Sequence, residues 1–92
     1  MREIDTGTMD SDARLDWCFD WSTWLTDGDT IASHELTAEG VIIDDQGHTD
    51  TTVTAWLQTT DDPPQSASVV CRIVTTQGRR DERTLRLHIA DR

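Results

Sequence analysis

From residue 13 to residue 21 the chain alternates: Leu15, Trp17, Phe19 and Trp21 fall on one side, and Arg14, Asp16, Cys18 and Asp20 on the other. A period of two over this length predicts a half-buried strand. Ser22-Thr23-Trp24-Leu25 runs into the turn cluster Thr26-Asp27-Gly28-Asp29, and Trp24 with Leu25 is expected to fold back as a single turn that plugs one end of the core. Residues 30–38 give a second strand, with Ala32, His34, Leu36 and Ala38 on one face, punctuated by Gly40. Val41-Ile42-Ile43 is a short apolar strand, and Asp44-Asp45-Gln46-Gly47 reads as the turn after it. Residues 51–58 set Val53, Ala55 and Leu57 against Thr52, Thr54 and Trp56, a β-branched pattern suited to a pleated surface. The adjacent prolines in Asp61-Asp62-Pro63-Pro64 forbid a central strand, so this stretch is a loop. Residues 67–76 turn Val69, Cys71 and Ile73 inward, and Gln77-Gly78-Arg79 makes a hairpin connection. Residues 81–90 close the chain with Leu85, Leu87 and Ile89 inward, Arg83 extending that face, and Glu82, Thr84, Arg86 and His88 outward.

Six or seven short strands separated by turns, with no helical segment, predict an all-β fold: a small immunoglobulin-like β-sandwich of antiparallel strands. A small open barrel is the alternative. Residues 1–12 are polar and read as an extended N-terminal arm, either floppy or laid on a partner; the sandwich domain spans residues 13–92. Ninety-two residues make one small domain with limited burial, so its stability is expected to be marginal alone.

Charge changes the picture. Eighteen acidic residues face eight basic ones, for a net charge of −10, and every basic residue is arginine. The acids crowd the first half, whereas Arg72, Arg79, Arg80, Arg83, Arg86 and Arg92 lie in the second. This balance excludes nucleic acid as a partner, because phosphate binding needs a basic footprint, and it disfavours anionic membranes. No apolar run is long enough to span a membrane, and Met1-Arg2-Glu3-Ile4-Asp5 lacks the apolar core of a signal peptide, so cytoplasmic synthesis is expected. Cys18 and Cys71 fall on opposite strand faces and are expected as free thiols.

Catalytic chemistry finds no support. His34, His48 and His88 lack a nucleophile motif and read as surface or rim histidines. Asp44 to Asp50 is acid-rich but lacks calcium-loop spacing, so no metal, cofactor or catalytic residue is assigned. Four tryptophans remain: Trp17 and Trp21 belong to the core by parity, while Trp56, on the other face of its strand, is a candidate interface anchor. Arg79, Arg80, Arg83 and Arg86 form either a self-compensated ion-pair strip or an edge that docks carboxylates of another subunit.

The stretch Leu15-Asp16-Trp17 with Phe19-Asp20-Trp21-Ser22, Trp24-Leu25 and Asp27-Gly28-Asp29-Thr30-Ile31-Ala32-Ser33 resembles small virion proteins of tailed bacteriophages. Thr52-Val53-Thr54-Ala55-Trp56-Leu57 matches their second block, and Cys71-Arg72-Ile73 with Thr75-Thr76, Gly78-Arg79, Asp81 and Arg83-Thr84-Leu85 the third. The chain departs from these relatives in its Thr59 to Pro64 loop, where they carry glycines, and near Ala67, where they tend to place a tyrosine. The resemblance implies a non-enzymatic virion protein. The first expectation is a capsid decoration protein that clamps neighbouring major capsid subunits on the outer surface, possible also as a trimer on a symmetry axis. The second is a neck or tail adaptor that anchors fibres to a connector or tail protein. A third reading, from the residues, is a carbohydrate-binding module built on an exposed Trp56 or Trp24. The expected partner contacts are Met1, Arg2, Ile4, Trp56, Arg79, Arg80, Arg83 and Arg86.

Overall fold

The computed structural model describes residues 3–26 and 28–90, with side chains from residue 6 onward. Seven strands run in chain order: β1 (Glu3–Asp10), β2 (Arg14–Asp20), β3 (Ile31–Glu39), β4 (Val41–His48), β5 (Thr52–Thr59), β6 (Ser66–Thr75) and β7 (Arg80–Ala90). No helix occurs among the described residues. One sheet has the order β1-β7-β6-β3 and the other β2-β5-β4. All pairings are antiparallel except β1 with β7.

The alternation read from the sequence sets the core. Val53, Ala55 and Leu57 of β5, Val69, Cys71 and Ile73 of β6, and Leu85, Leu87 and Ile89 of β7 are all buried, as are Phe19 and Trp21. Burying side chains of this size stabilises by roughly 1.5–3 kcal/mol each. Trp24 and Leu25 plug one end: both backbone N–H groups donate to Trp21 O at 3.0 Å, and the Trp24 ring meets Trp21 edge-on at 5.5 Å.

Four expectations change. Residues 3–10, expected within an arm, form an edge strand whose Met9 is 1% exposed. Gly7 makes this possible: the Trp17 ring of β2 lies against it, and any Cβ there would overlap Trp17 Cη2 and Cζ3. The turn expected at Asp44–Gly47 is strand, because a bulge between Ile43 and Asp45 absorbs one residue and pairing with β5 resumes through His48 beside Val53. The chain reverses instead at Thr49–Thr52, where Thr49 N donates to Thr52 O and Thr52 N to Thr49 Oγ1. A second bulge between Ile31 and Ser33 leaves Ala32 exposed and puts Ile31 in the core. Leu15 has core-face parity but is 43% exposed, since it lies near the start of edge strand β2.

Candidate functional site

Each sheet has an outward face. On the four-stranded sheet, Arg80, Glu82, Thr84, Arg86 and His88 of β7 lie beside Ser66, Ser68, Val70, Arg72 and Val74 of β6, with Ser33, Glu35, Thr37 and Glu39 of β3 beyond. Arg72 stands at the centre, its Nε 2.8 Å from Glu82 Oε2 and its Nη1 3.3 Å from Glu35 Oε1. The hydrogen bond to Glu82 and its charge, then the bond to Glu35, hold the guanidinium pKa above its usual value. Arg72 and Glu35 are more than half exposed, so the pairs order the surface more than they stabilise it. A shallow depression of about 620 Å³ opens here, lined among others by Glu35, Arg72, Val74, Arg80 and Glu82. Among the described residues, Arg80 and Arg86 form no ion pair.

The outward face of the three-stranded sheet is different. Arg14, Asp16, Cys18 and Asp20 of β2 flank Thr52, Thr54, Trp56 and Gln58 of β5, with Ile42 and Asp45 on β4. Arg14 reaches from the edge across the half-buried Trp56, its Cζ 4.5 Å from the ring centroid, and its Nε donates to Asp44 Oδ2 at 2.5 Å. Ile42 is 50% exposed. One arginine against Asp16, Asp20, Asp44 and Asp45 leaves this face acidic.

At the end of the sandwich plugged by Trp24, Asp29 ties the β2–β3 connection to the β6–β7 turn. It is 5% exposed, and its Oδ1 accepts from Thr30 N, Thr76 Oγ1 and Gln77 N at 3.0–3.2 Å. Burial alone would raise its pKa; the hydrogen bonds outweigh that and leave it lowered. Asp20 is lowered too, mainly because Ser22 N donates to its carboxylate at 2.9 Å. Burial pushes the Cys71 thiol up to about 11, and the nearby Trp21 and Arg83 pull it back only in part. Cys18 is exposed and, like Cys71, free.

The structure separates the sequence-derived contact residues. Arg83 is 7% exposed; its guanidinium donates to Asp20 O and stacks on Trp21 at 4.2 Å. Arg79 lies 4.2 Å over Trp24, donates to Thr26 Oγ1 at 3.2 Å, and stands 3.9 Å from Asp29 Oδ2. Both side chains are thus engaged within the fold. Arg80 and Arg86 stay outward, and Trp56 lies on the opposite sheet, so the set does not form one patch. β7 is also not an edge, because β1 and β6 flank it. Ile4 takes a register position beside Thr84, and Met1 and Arg2 lie outside the described residues. Trp24 and Trp56, expected as exposed, are half-buried, and each carries a guanidinium over its ring.

Sequence reasoning missed two features. Asp29 reads as an ordinary turn aspartate, because two of the donors to its carboxylate come from residues 47 and 48 positions away in the chain. His34 and His48 meet, Nδ1 to Nδ1, at 2.5 Å, although they belong to different sheets.

Residues 9–88 match the family of podophage Gp4-type fibre-tail adaptor proteins, Gp77. The chain belongs to this family and is thus a structural component of the phage tail. Of the virion readings, the match backs the tail adaptor over decoration of the shell. A comparison with curated proteins found no match. Among solved structures, the chain is similar to a 2,6-sialyltransferase of Photobacterium sp. JT-ISH-224, with a TM-score of 0.63 and 7% identity over 99% of this chain and 18% of that one. That likeness concerns the fold alone. It is also similar to amebosin, with a TM-score of 0.40 and 10% identity over 96% of this chain and 98% of that one.

Proposed function

We propose that the chain is a two-sided spacer, held by a tail protein on the outer face of one sheet and meeting the fibre on the outer face of the other. The observation that carries this reading is the chemical difference between the two faces. Arg80 and Arg86 suit a partner rich in carboxylates, because guanidinium forks bind them bidentately. The acidic face suits a basic partner, with Trp56 as its half-buried anchor and opposite potentials setting the orientation. Ile4 takes its place on this side, since β1 runs alongside β7 with Ile4 beside Thr84. Both partners are proteins of the same virion.

We also infer an immunoglobulin-type sandwich. The orders β2-β5-β4 and β7-β6-β3 correspond to B-E-D and G-F-C, with the first strand moved to the side of the last. Copy number in purified particles tests the adaptor role, by quantitative mass spectrometry against the major capsid protein. One closed ring at a single tail gives about a dozen copies or fewer. Hundreds of copies would overturn this reading in favour of shell decoration.

A further inference from the structure

We propose that His34, His48 and Gln46 form a divalent metal site of the nickel and copper class, which clips the two sheets together at their β3–β4 side. The observations are geometric. β3 and β4 are joined at Gly40 and diverge into different sheets. Six residues before that corner and eight after it, His34 and His48 meet again, Nδ1 to Nδ1, with their rings nearly perpendicular at 82°. His34 Nε2 lies 3.0 Å from Gln46 Oε1. An amide oxygen only accepts, so His34 Nε2 carries the proton and its Nδ1 turns a lone pair toward His48. Histidines that bind metals are oriented in this way, by an acceptor on the nitrogen remote from the metal.

The spacing chooses the metal class. Two metal–nitrogen bonds of about 2.05 Å at a right angle put their nitrogens about 2.9 Å apart, and a tetrahedral angle demands about 3.3 Å. From 2.5 Å, the cis positions of a square-planar or octahedral ion need the smaller opening. His48 lies at the exposed end of β4, where water completes the coordination shell. Among the described residues no group of three or more His, Cys, Asp or Glu side chains gathers to hold a metal, so this is a two-imidazole site supported by an amide.

The test is a titration of the chain with Ni²⁺, followed by calorimetry and by thermal unfolding. A Cys18→Ser background removes competition from the exposed thiol. One saturable equivalent is expected at sub-millimolar Ni²⁺, with a rise in Tm as the ion binds the folded state. His48→Asn should weaken binding at least tenfold, Gln46→Leu about tenfold through loss of orientation, and His88→Asn not at all. Because His48 and Gln46 are exposed, these variants keep the fold even if changes at half-buried His34 do not. With Cu²⁺, the electron paramagnetic resonance spectrum should show coupling to two nitrogens. Absence of binding, or binding that survives His48→Asn, would overturn the proposal.

Discussion

On the outer face of the four-stranded sheet the central cation, Arg72, is held between Glu35 and Glu82 on the strands to either side. On the outer face of the three-stranded sheet the single arginine, Arg14, starts at the edge and crosses Trp56 to reach Asp44 on the far strand. The first face balances three arginines with three glutamates: Arg72 is paired with Glu35 and Glu82, and Arg80, Arg86 and Glu39 stand outside that cluster. The second ends with a surplus of aspartates around a covered tryptophan. Two sheets that share one core thus present unlike surfaces, which is what a protein joining two unlike partners requires.

The largest effect expected on stability separates core from surface at two tryptophans, Trp21 and Trp56. Trp21→Ala should cost about 3–5 kcal/mol, since the ring is fully buried under Arg83 and against Trp24. In a domain this small that approaches the whole of its stability. Trp56→Ala, on the outer face, should cost less than about 1.5 kcal/mol in the same denaturant titration. Equal losses would place Trp56 in the core and remove it from the interface.

Gly7→Val comes next. The branched side chain must displace the Trp17 ring, at about 1–3 kcal/mol. An unchanged denaturation midpoint would mean that β1 does not pack on β2.

Charge reversal sharpens the comparison of the faces directly. Arg80→Glu with Arg86→Glu should leave stability within about 0.5 kcal/mol and weaken one partner's binding at least tenfold, as for charges removed from a complementary surface. Loss of both partners, or of neither, would break the division of labour.

Acid sharpens the account of the tied end. The folded-state pKa of Asp29 is lowered, so its contribution is present above the ordinary value of 3.8 and is lost as pH falls below it. Asp29→Asn should therefore lower stability at neutral pH and flatten its fall as the pH drops below 3.8 in unfolding curves. A parallel fall in both proteins would remove Asp29 from this role.

Thiol labelling has the smallest energetic consequence. One cysteine, Cys18, should react at neutral pH, and Cys71 only after unfolding, because it is fully buried and its thiol is held up to about 11.

Much of this architecture was legible in the chain. Strict alternation over β5, β6 and β7 placed nearly every inward residue, because a period of two has one solution when one face is buried. It even placed Arg83 inward, while leaving open that Trp21 and Asp20 O would occupy its charge. The bulges were not legible: Asp44-Asp45-Gln46-Gly47 has the composition of a turn, and only pairing with β5 keeps it in a strand. β1 was hidden because its burial rests on Met9 and on a glycine that accommodates Trp17 from the other sheet. The unequal outer faces were half legible: acids and arginines segregate along the chain, but strand order decides which sheet receives each.

The exposed Cys18 on the acidic face offers the most direct test of the two-partner claim. A photo-crosslinker is attached there in one preparation, and at Thr84→Cys on the arginine-bearing face, in a Cys18→Ser background, in another. Both are assembled into particles and the captured proteins identified by mass spectrometry. Capture of a tail protein from one face and a fibre protein from the other is the expected result. Capture of the same protein from both faces would contradict a two-sided spacer.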